Sequence, residues 1–320
     1  MKIKDRSKTL EEAYNRREFF MLSSLPYFQF FKAYLEASLE ADLHSNGDIT
    51  TALLNEHLPA KVEGKIVAKQ DGVLSGIPEM KYIAKHGGVS LSIGKKMGGE
   101  KDGEKFESGM SFEKGDMLFT VKGSPLKVLQ LERTFLNILQ RMCGIATAAA
   151  KFETAHAKVA VTRKTPLPFL DKRAAIDGSV LPHRVNLSDA IMIKDTHFDQ
   201  FGRDFEALAD SLRNRSYQGI SFIEIEVLDK KEALLAAEMA KNLDLNVPIV
   251  VMLDNFVSKD AKKAVKSLQK AGLYDYVLVE VSGGISSQNY KDYDIEGVDV
   301  MSVGEITHSA GVVDISMKVK

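Results

Sequence analysis

The chain has almost no cysteine: Cys143 is the single thiol among 320 residues. One thiol excludes an internal disulfide and is typical of a protein in a reducing compartment. The chain also lacks a charge bias, since 43 basic and 44 acidic side chains leave a net charge of −1. That balance gives no global reason to expect nucleic acid as a partner, so any anion site must be local.

Long apolar runs are missing as well. The N-terminus is charged throughout and has no apolar core of the kind found in a secretory signal. The most apolar early stretch, residues 19–39, contains Pro26 and Lys32 and is too polar to span a bilayer. It predicts an amphipathic helical extension that packs on the body, with binding to a membrane surface as the alternative. We therefore expect a soluble, cytoplasmic protein without a membrane or nucleic-acid partner.

The residues that are present predict a packed α/β protein. Apolar residues make up 44% of the chain, and its length allows two domains or one large domain with an accessory one. Residues 60–122 alternate apolar and polar positions between glycine turns, which predicts strands. Residues 126–158 have helical spacing without proline, and we expect Gly144 to divide them into two helices.

From residue 158 onward, short apolar runs recur with start-to-start separations of 22 to 32 residues, and each is followed by about a helix length of amphipathic sequence. This spacing predicts parallel strands with connecting helices outside the sheet. Six such units favour a barrel, although spacing alone leaves a doubly wound sheet open. The runs are "KVAV" from 158, "AIMI" from 190, "FIEIEV" from 222, "PIVVML" from 248, "YVLVEV" from 276 and "VDVMSV" from 298.

Polar residues and glycines follow these runs, at the edge where the carboxyl ends of parallel strands meet and where barrel enzymes carry their chemistry. Glu224 and Glu226 stand two apart in one run, so they share a face of that strand. We expect the following residues to converge on one pocket: Arg163, Lys164, His183, Arg184, Lys194, Glu226, Asp254, Ser282, Gly283, Gly284 and Gly304.

These residue types predict a ligand with several negative charges. Arginine pairs with carboxylate or phosphate through two hydrogen bonds, and lysine acts as a point charge. Glu226 and Asp254 are suited to hold Mg²⁺ on a polyphosphate or to face a developing cation. The glycines can bind a phosphate through backbone N–H groups. We expect a ligand with a phosphate end, a metal-binding middle and a second anionic group.

Each residue alone has a structural alternative. An arginine at a strand end is commonly solvated, Glu226 can belong to a structural ion pair, and a Ser-Gly-Gly sequence can be an ordinary turn. We expect structural roles for His197 and His308. No histidine–cysteine pair in the sequence has the spacing of a zinc site. The agreement of six units is what favours a functional site.

From about Asp42 to the C-terminus, the chain resembles the quinolinate phosphoribosyltransferase family. The motifs that carry the resemblance are collinear and begin at the positions given: "NGDITTALL" at 46, "AKQDGVLSG" at 68, "LERTFLNILQRMCGIAT" at 131, "TRKT" at 162, "HR" at 183, "IKDTH" at 193, "EIEV" at 224, "MLDN" at 252, "VSGGI" at 281, "SVGEITHS" at 302 and "DISMK" at 314.

The resemblance implies a fold and a reaction. Family members combine an N-terminal α/β sandwich with an incomplete α/β barrel and form dimers or larger homo-oligomers whose active sites are shared between subunits. They transfer phosphoribose from phosphoribosyl pyrophosphate to quinolinate, releasing CO₂ and forming nicotinate mononucleotide for NAD biosynthesis. The expected divisions are an extension over 1–40, the sandwich over 41–137, the barrel over 138–305 and a return segment over 306–320.

The resemblance also assigns roles to residues. Arg163, His183, Arg184 and Lys194 would face the quinolinate carboxylates, and Arg133 would reach in from the partner subunit. Lys164 would contact the phosphoribosyl donor. Glu226 and Asp254 would hold the ribose hydroxyls and Mg²⁺. The 5′-phosphate would bind at Ser282, Gly283, Gly284 and Gly304.

Several positions near the acceptor differ from the family pattern. Val161 replaces an aspartate, Thr196 replaces an asparagine, and the loop after residue 164 is shortened, with Arg173 as the nearby candidate for its missing arginine. The alternatives are a transferase for another pyridine acid such as nicotinate, a molybdenum-transport-associated homologue, an inactive binding barrel, or a Schiff-base lyase. Lys194 argues against the molybdenum-associated branch, and the retained carboxylates argue against the last two.

Overall fold

The computed structural model describes residues 1–98 and 101–320. They form two compact units, and neither is one continuous stretch of chain. The barrel unit comprises residues 1–16, 152–164 and 180–308, and the sandwich unit comprises residues 17–151, 165–179 and 309–320. The predicted contiguous divisions at 41, 138 and 306 stay predictions.

Among the described residues, the α-helices are α1 (Arg6–Tyr14), α2 (Leu25–Leu43), α3 (Ile49–Leu54), α4 (Ile77–Gly87), α5 (Pro125–Ala149), α6 (Pro168–Asp177), α7 (Asp195–Phe198), α8 (Phe205–Leu212), α9 (Lys230–Leu243), α10 (Ser258–Lys270), α11 (Tyr290–Tyr293) and α12 (Glu305–His308). The strands are β1 (Val62–Ala68), β2 (Gly72–Val73), β3 (Ser90–Ile93), β4 (Ser111–Phe112), β5 (Met117–Gly123), β6 (Lys158–Val161), β7 (Ile191–Ile193), β8 (Ile223–Val227), β9 (Ile249–Asp254), β10 (Leu278–Ser282), β11 (Val300–Val303) and β12 (Ile315–Val319).

The sandwich unit contains an antiparallel sheet in the order β12-β1-β5-β3. The alternating pattern predicted for residues 60–122 is visible in β1, where buried and partly or fully exposed positions alternate. The predicted extension over residues 19–39 is helical, since α2 buries Tyr27, Phe31 and Leu35 along one face. Phe31 packs edge-on against Tyr82 at 5.8 Å, so this helix belongs to the core of the unit. In the described part of the chain, no helix is long and apolar enough to cross a membrane.

The prediction that Gly144 divides the helical stretch was wrong, because α5 runs unbroken from Pro125 to Ala149. The glycine is required by packing instead of by a turn. A Cβ at residue 144 would lie 2.0 Å from the carbonyl oxygen of Gly311. The helix and the chain after residue 308 therefore meet backbone to backbone at this point.

The barrel unit contains six parallel strands in the order β6-β11-β10-β9-β8-β7, and each corresponds to one of the predicted runs. In a doubly wound sheet, the order in which successive strands are added reverses in the middle of the sheet. Here β7 to β11 follow each other in chain order, and β6 lies beside β11. Among the described strands, β6 and β7 are not paired with each other, so the predicted incomplete barrel is confirmed. Every residue of β8 is buried, as expected of a parallel strand covered on both faces.

Candidate active site

A cavity of about 460 Å³ lies at the carboxyl ends of the barrel strands. All six strands or the residues directly after them contribute to its wall. The predicted residues that line it are Arg163, Lys164, His183, Arg184, Lys194, Glu226, Asp254, Ser282, Gly283 and Gly284. It is also lined by Thr162, Met192, Asp195, Met252, Asn255 and Ser302, which the sequence did not single out.

Two predicted site residues, among those the structure describes, do not line this cavity. Gly304 lies between β11 and α12, and a Cβ there would come within 3.4 Å of the Thr162 hydroxyl, which is part of the wall. Arg133 is exposed on α5 in the sandwich unit, and its contact with a partner subunit stays a prediction. Arg173, considered as a replacement arginine, forms an ion pair with Asp177 at 2.7 Å.

Two carboxylates form one side of the cavity. Glu226 accepts a hydrogen bond from the backbone N–H of Asp195 at 3.1 Å, and its other oxygen lies 3.7 Å from Lys194 Nζ. Burial, followed by the charges of Asp254 and Asp195, raises the pKa of Glu226. Burial and the charge of Asp195 likewise raise the pKa of Asp254. A bound cation would relieve this cost, so the pair is prepared to accept one.

Four basic side chains line the same cavity. Arg184 is buried, whereas Arg163 and Lys164 are exposed at the rim and Lys194 is 44% exposed. Burial and the neighbouring charge of Arg163 lower the pKa of Arg184. Two guanidinium groups that repel each other in a partly dry site gain free energy when an anion binds between them. These basic side chains therefore fit a ligand with carboxylate or phosphate groups.

The turns after β9 and β10 interlock beside these charges. Gly283 has φ 90° and Gly284 has φ 62°, a region that glycine adopts without strain. A Cβ at residue 283 would lie 2.2 Å from Asn255 Oδ1, and the N–H of Asn255 donates to the Ser282 carbonyl at 2.9 Å. Only glycine fits at position 283, so backbone instead of side chain forms this part of the cavity wall.

A buried cluster of His183, Glu224, Glu280 and Ser302 lies within the barrel, and His183 and Ser302 also reach the cavity. His183 Nε2 lies 3.2 Å from Glu280 and 3.5 Å from Glu224. Burial opposes a charge on the imidazole, but the two carboxylates outweigh it and raise the pKa of His183 to about 9. The two carboxylates thus favour the charged form of the imidazole.

The two glutamates of this cluster differ in charge. Burial and the proximity of Glu280 raise the pKa of Glu224. Burial also acts against ionisation of Glu280, but His183 and hydrogen bonds from Ser302 and Tyr14 outweigh it and lower its pKa. The surroundings thus favour the charged form of Glu280 and the neutral form of Glu224.

The same cluster has the composition of a metal site, since three potential ligands lie close together. Its hydrogen bonds contradict that function. The N–H of Arg184 donates to His183 Nδ1 at 2.8 Å, so the imidazole proton is on Nε2, the nitrogen that faces both carboxylates. In this arrangement Nε2 carries a proton and lies 3.2 Å from Glu280, so the cluster is a hydrogen-bond network.

A second hollow, of about 670 Å³, lies elsewhere on the barrel unit. Side chains such as Lys262, Lys266 and Lys291 line it, and neither of the strand-end carboxylates Glu226 and Asp254 reaches it. The cavity at the strand ends is smaller, yet it combines opposed charges with glycine turns. It is therefore the candidate active site.

Comparison with known proteins agrees with this geometry. Residues 48–143 match the model for "Quinolinate phosphoribosyl transferase, N-terminal domain", and residues 145–318 match the C-terminal domain. A probable nicotinate-nucleotide pyrophosphorylase [carboxylating] of Archaeoglobus fulgidus is 35% identical over 285 residues, covering 85% of this chain and 98% of that protein. The Mycobacterium leprae nicotinate-nucleotide pyrophosphorylase [carboxylating] is 32% identical, covering 88% of this chain and 95% of that one.

A solved structure shows the same fold. The crystal structure of NadC from Streptococcus pyogenes superposes with a TM-score of 0.77 at 29% identity and covers 92% of this chain and 98% of that one. The family models together span both the antiparallel sheet and the parallel barrel. The chain therefore belongs to the quinolinate phosphoribosyltransferase family.

Proposed function

We propose that the strand-end cavity transfers phosphoribose from phosphoribosyl pyrophosphate to quinolinate, with loss of CO₂, to form nicotinate mononucleotide for NAD biosynthesis. The observation that carries the proposal is the arrangement of charge in one cavity. Arginine, lysine and histidine side chains line the same cavity as Glu226 and Asp254. The first set suits a dicarboxylate acceptor and the leaving pyrophosphate, and the second suits the ribose.

The acceptor side consists of Arg163, His183, Arg184 and Lys194. Quinolinate carries two carboxylates, and a dianion in a partly buried site needs several cations to offset its lost hydration. A monocarboxylate such as nicotinate needs fewer. The number of cations in the cavity therefore favours quinolinate over nicotinate.

The donor side consists of Lys164, Glu226 and Asp254, with Ser282, Gly283, Gly284 and Gly304 around the 5′-phosphate. Glu226 and Asp254 offer the oxygen donors that Mg²⁺ prefers, and their raised pKa values indicate that a bound cation would stabilise the pair. These two residues would hold the ion. When bound, Mg²⁺ supplies charge neutralisation on the pyrophosphate.

During the reaction, the quinolinate ring nitrogen forms a bond to the anomeric carbon while the bond from that carbon to the pyrophosphate oxygen breaks. Negative charge grows on the leaving group, where Lys164 stabilises it. Positive charge grows on the ribose, where Glu226 and Asp254 stabilise it. Preorganised charges of this kind need no rearrangement as the bonds change.

Loss of CO₂ follows without a dedicated base. Once the ring nitrogen carries the ribose it is positively charged, and it stabilises the electron pair that the departing carboxylate leaves on the adjacent carbon. A proton from solvent then replaces the carboxylate. The residues of the acceptor side hold the ring in place.

The test is an assay with Mg²⁺, phosphoribosyl pyrophosphate and either quinolinate or nicotinate, with CO₂ and mononucleotide followed together. We expect mononucleotide and CO₂ in equal amounts from quinolinate, and a loss of about two to three orders of magnitude in kcat for Lys164→Ala. Mononucleotide formed from nicotinate but not from quinolinate would refute quinolinate as the acceptor and leave the transfer reaction in place.

The shared site is tested in the same assay. We propose that the protein forms at least a homodimer in which Arg133 reaches the partner's cavity. Arg133→Ala and Lys164→Ala should each be inactive alone, and mixing them under conditions of subunit exchange should restore part of the activity. Absence of recovery after confirmed exchange would refute the shared site.

A further inference from the structure

The first 16 residues precede the family match, which begins at residue 48, yet they belong to the barrel unit. We call them the N-terminal arm. Ile3, Leu10, Ala13 and Tyr14 share a buried cluster with residues at or near the amino ends of the strands, such as Leu278 and Val300. The arm therefore closes the end of the barrel opposite the cavity.

The arm is fixed to the strands by specific polar contacts as well. Arg6 forms an ion pair with Asp299 and donates to the carbonyl oxygens of Tyr274 and Val277 at 2.9 and 3.0 Å. The N–H of Ile3 donates to the Asp275 carbonyl at 2.7 Å. A segment held in this way can position other groups.

Tyr14 extends from the arm to the buried cluster. Its ring is fully buried, stacks on Phe222 at 4.6 Å and meets the ring of His183 edge-on at 5.1 Å. Its hydroxyl donates to Glu280 Oε2 at 2.7 Å, and the other oxygen of Glu280 lies 3.2 Å from His183 Nε2. One tyrosine thus contacts both the histidine and the carboxylate that holds it.

Arg16 reaches the other side of the same segment. Its guanidinium donates to Asp189 Oδ1 at 3.1 and 2.7 Å. The second oxygen of Asp189 accepts from the N–H of Val185 at 2.8 Å, directly after Arg184. Contacts from the arm therefore bracket residues 183 and 184.

That segment needs support, because His183 has φ 57°. A non-glycine residue in the left-handed region is strained and stays there only when its surroundings fix it. The supporting contacts come from Glu280 and Asp189, and the arm contacts both.

We propose that the N-terminal arm positions His183 and Arg184 for the acceptor, with Tyr14 and Arg16 as positioning residues. This inference rests on the proposed function, in which His183 and Arg184 bind the quinolinate carboxylates. It adds a dependence of acceptor binding on a segment outside both family domains.

The main test is Tyr14→Phe, which removes the hydroxyl and keeps the ring stacking. Loss of this hydrogen bond to a charged acceptor should increase the KM for quinolinate about tenfold. The KM for phosphoribosyl pyrophosphate should stay within about twofold, because the donor side has no contact with Tyr14 among the contacts described. Arg16→Met should act in the same direction.

Tyr27→Phe is the matched control. Tyr27 is also buried and donates to a buried glutamate, Glu79, at 2.7 Å, but within the sandwich unit. It should lower the thermal midpoint without changing either KM. If Tyr14→Phe behaves in the same way, the arm is only a structural plug and the proposal is refuted.

A second measurement does not depend on turnover. In protein labelled with ¹⁵N-histidine, the His183 imidazole signal, assigned with His183→Gln, should shift in Tyr14→Phe and stay in place in Tyr27→Phe. An unmoved signal would overturn the positioning role. A wild-type protein that is inactive with quinolinate would refute the proposed function, whereas an active wild type with an unchanged KM in Tyr14→Phe would refute this inference alone.

Discussion

Each unit of the protein contains a buried tyrosine that donates to a buried glutamate, and the pKa values of the two glutamates are shifted in opposite directions. Tyr14 donates to Glu280 in the barrel unit, and Tyr27 donates to Glu79 in the sandwich unit, both at 2.7 Å. Glu280 also accepts from Ser302 and lies beside His183. The second oxygen of Glu79 has no hydrogen-bond partner among the residues that the structure describes.

The direction of each glutamate's pKa shift follows from these neighbours. Burial raises the pKa of Glu79, and the hydrogen bond from Tyr27 and the charge of Arg173 do not compensate. Burial acts in the same direction on Glu280, but its contacts with His183 reverse the outcome and lower its pKa. A tyrosine hydroxyl alone does not offset the effect of burial on a carboxylate pKa, whereas the added contacts of Glu280 with His183 and Ser302 do.

The largest expected effect comes from removing both carboxylates around His183. Glu224→Gln/Glu280→Gln removes both carboxylates that face His183 Nε2, which should cost about 3–5 kcal/mol in the free energy of unfolding. Urea unfolding at pH 7 measures it. Glu224→Gln alone should cost far less, since Glu224 is already protonated there. Equal costs for the single and double variants would contradict the assigned charges.

Glu79→Gln should have a smaller effect, whose sign depends on pH. The pKa of Glu79 is higher in the folded protein than in the unfolded chain, so ionisation favours unfolding. As pH rises above the ordinary glutamate pKa of about 4.3, the wild type loses stability that the glutamine variant keeps. Urea unfolding at pH 4 and pH 8 should therefore show the variant gaining on the wild type at pH 8. A difference independent of pH would show that the pKa of Glu79 is the same in both states.

The smallest effects come from the two hydroxyls. Tyr14→Phe removes a bond to Glu280, whose pKa is lowered, and should cost about 2 kcal/mol. Tyr27→Phe removes a bond to Glu79, whose pKa is raised, and should cost about 1 kcal/mol. Urea unfolding of both variants at pH 7 gives the comparison. The reverse order would contradict the opposite directions of the pKa shifts of Glu280 and Glu79.

Local sequence patterns were enough to predict the barrel and much of its rim. Parallel strands covered on both faces are short apolar runs, so all six barrel strands were visible, and their carboxyl ends identified Lys194, Glu226 and Asp254. Contacts between distant segments could not be predicted in that way. Gly144 resembled a helix break because its close approach to Gly311 is visible only in three dimensions.

The buried cluster was missed for the same reason. Tyr14 and Glu280 are 266 residues apart, and no periodicity links them. Glu280 did leave a signal, since a carboxylate in the middle of the apolar run "YVLVEV" must be paired or protonated when buried. Tyr14 left none, because an aromatic residue on an amphipathic helix favours an ordinary core position.

Strand β12 makes completion of the antiparallel sheet depend on translation of the last residues of the chain. Its Val319 pairs with Gly64 of β1, so one edge of β1 stays open until residue 319 has been translated and has left the ribosome. A nascent chain therefore carries an unpaired strand edge while more than 250 residues are added after Gly64, and such edges invite pairing with other chains. Termination before β12 would leave that edge open permanently.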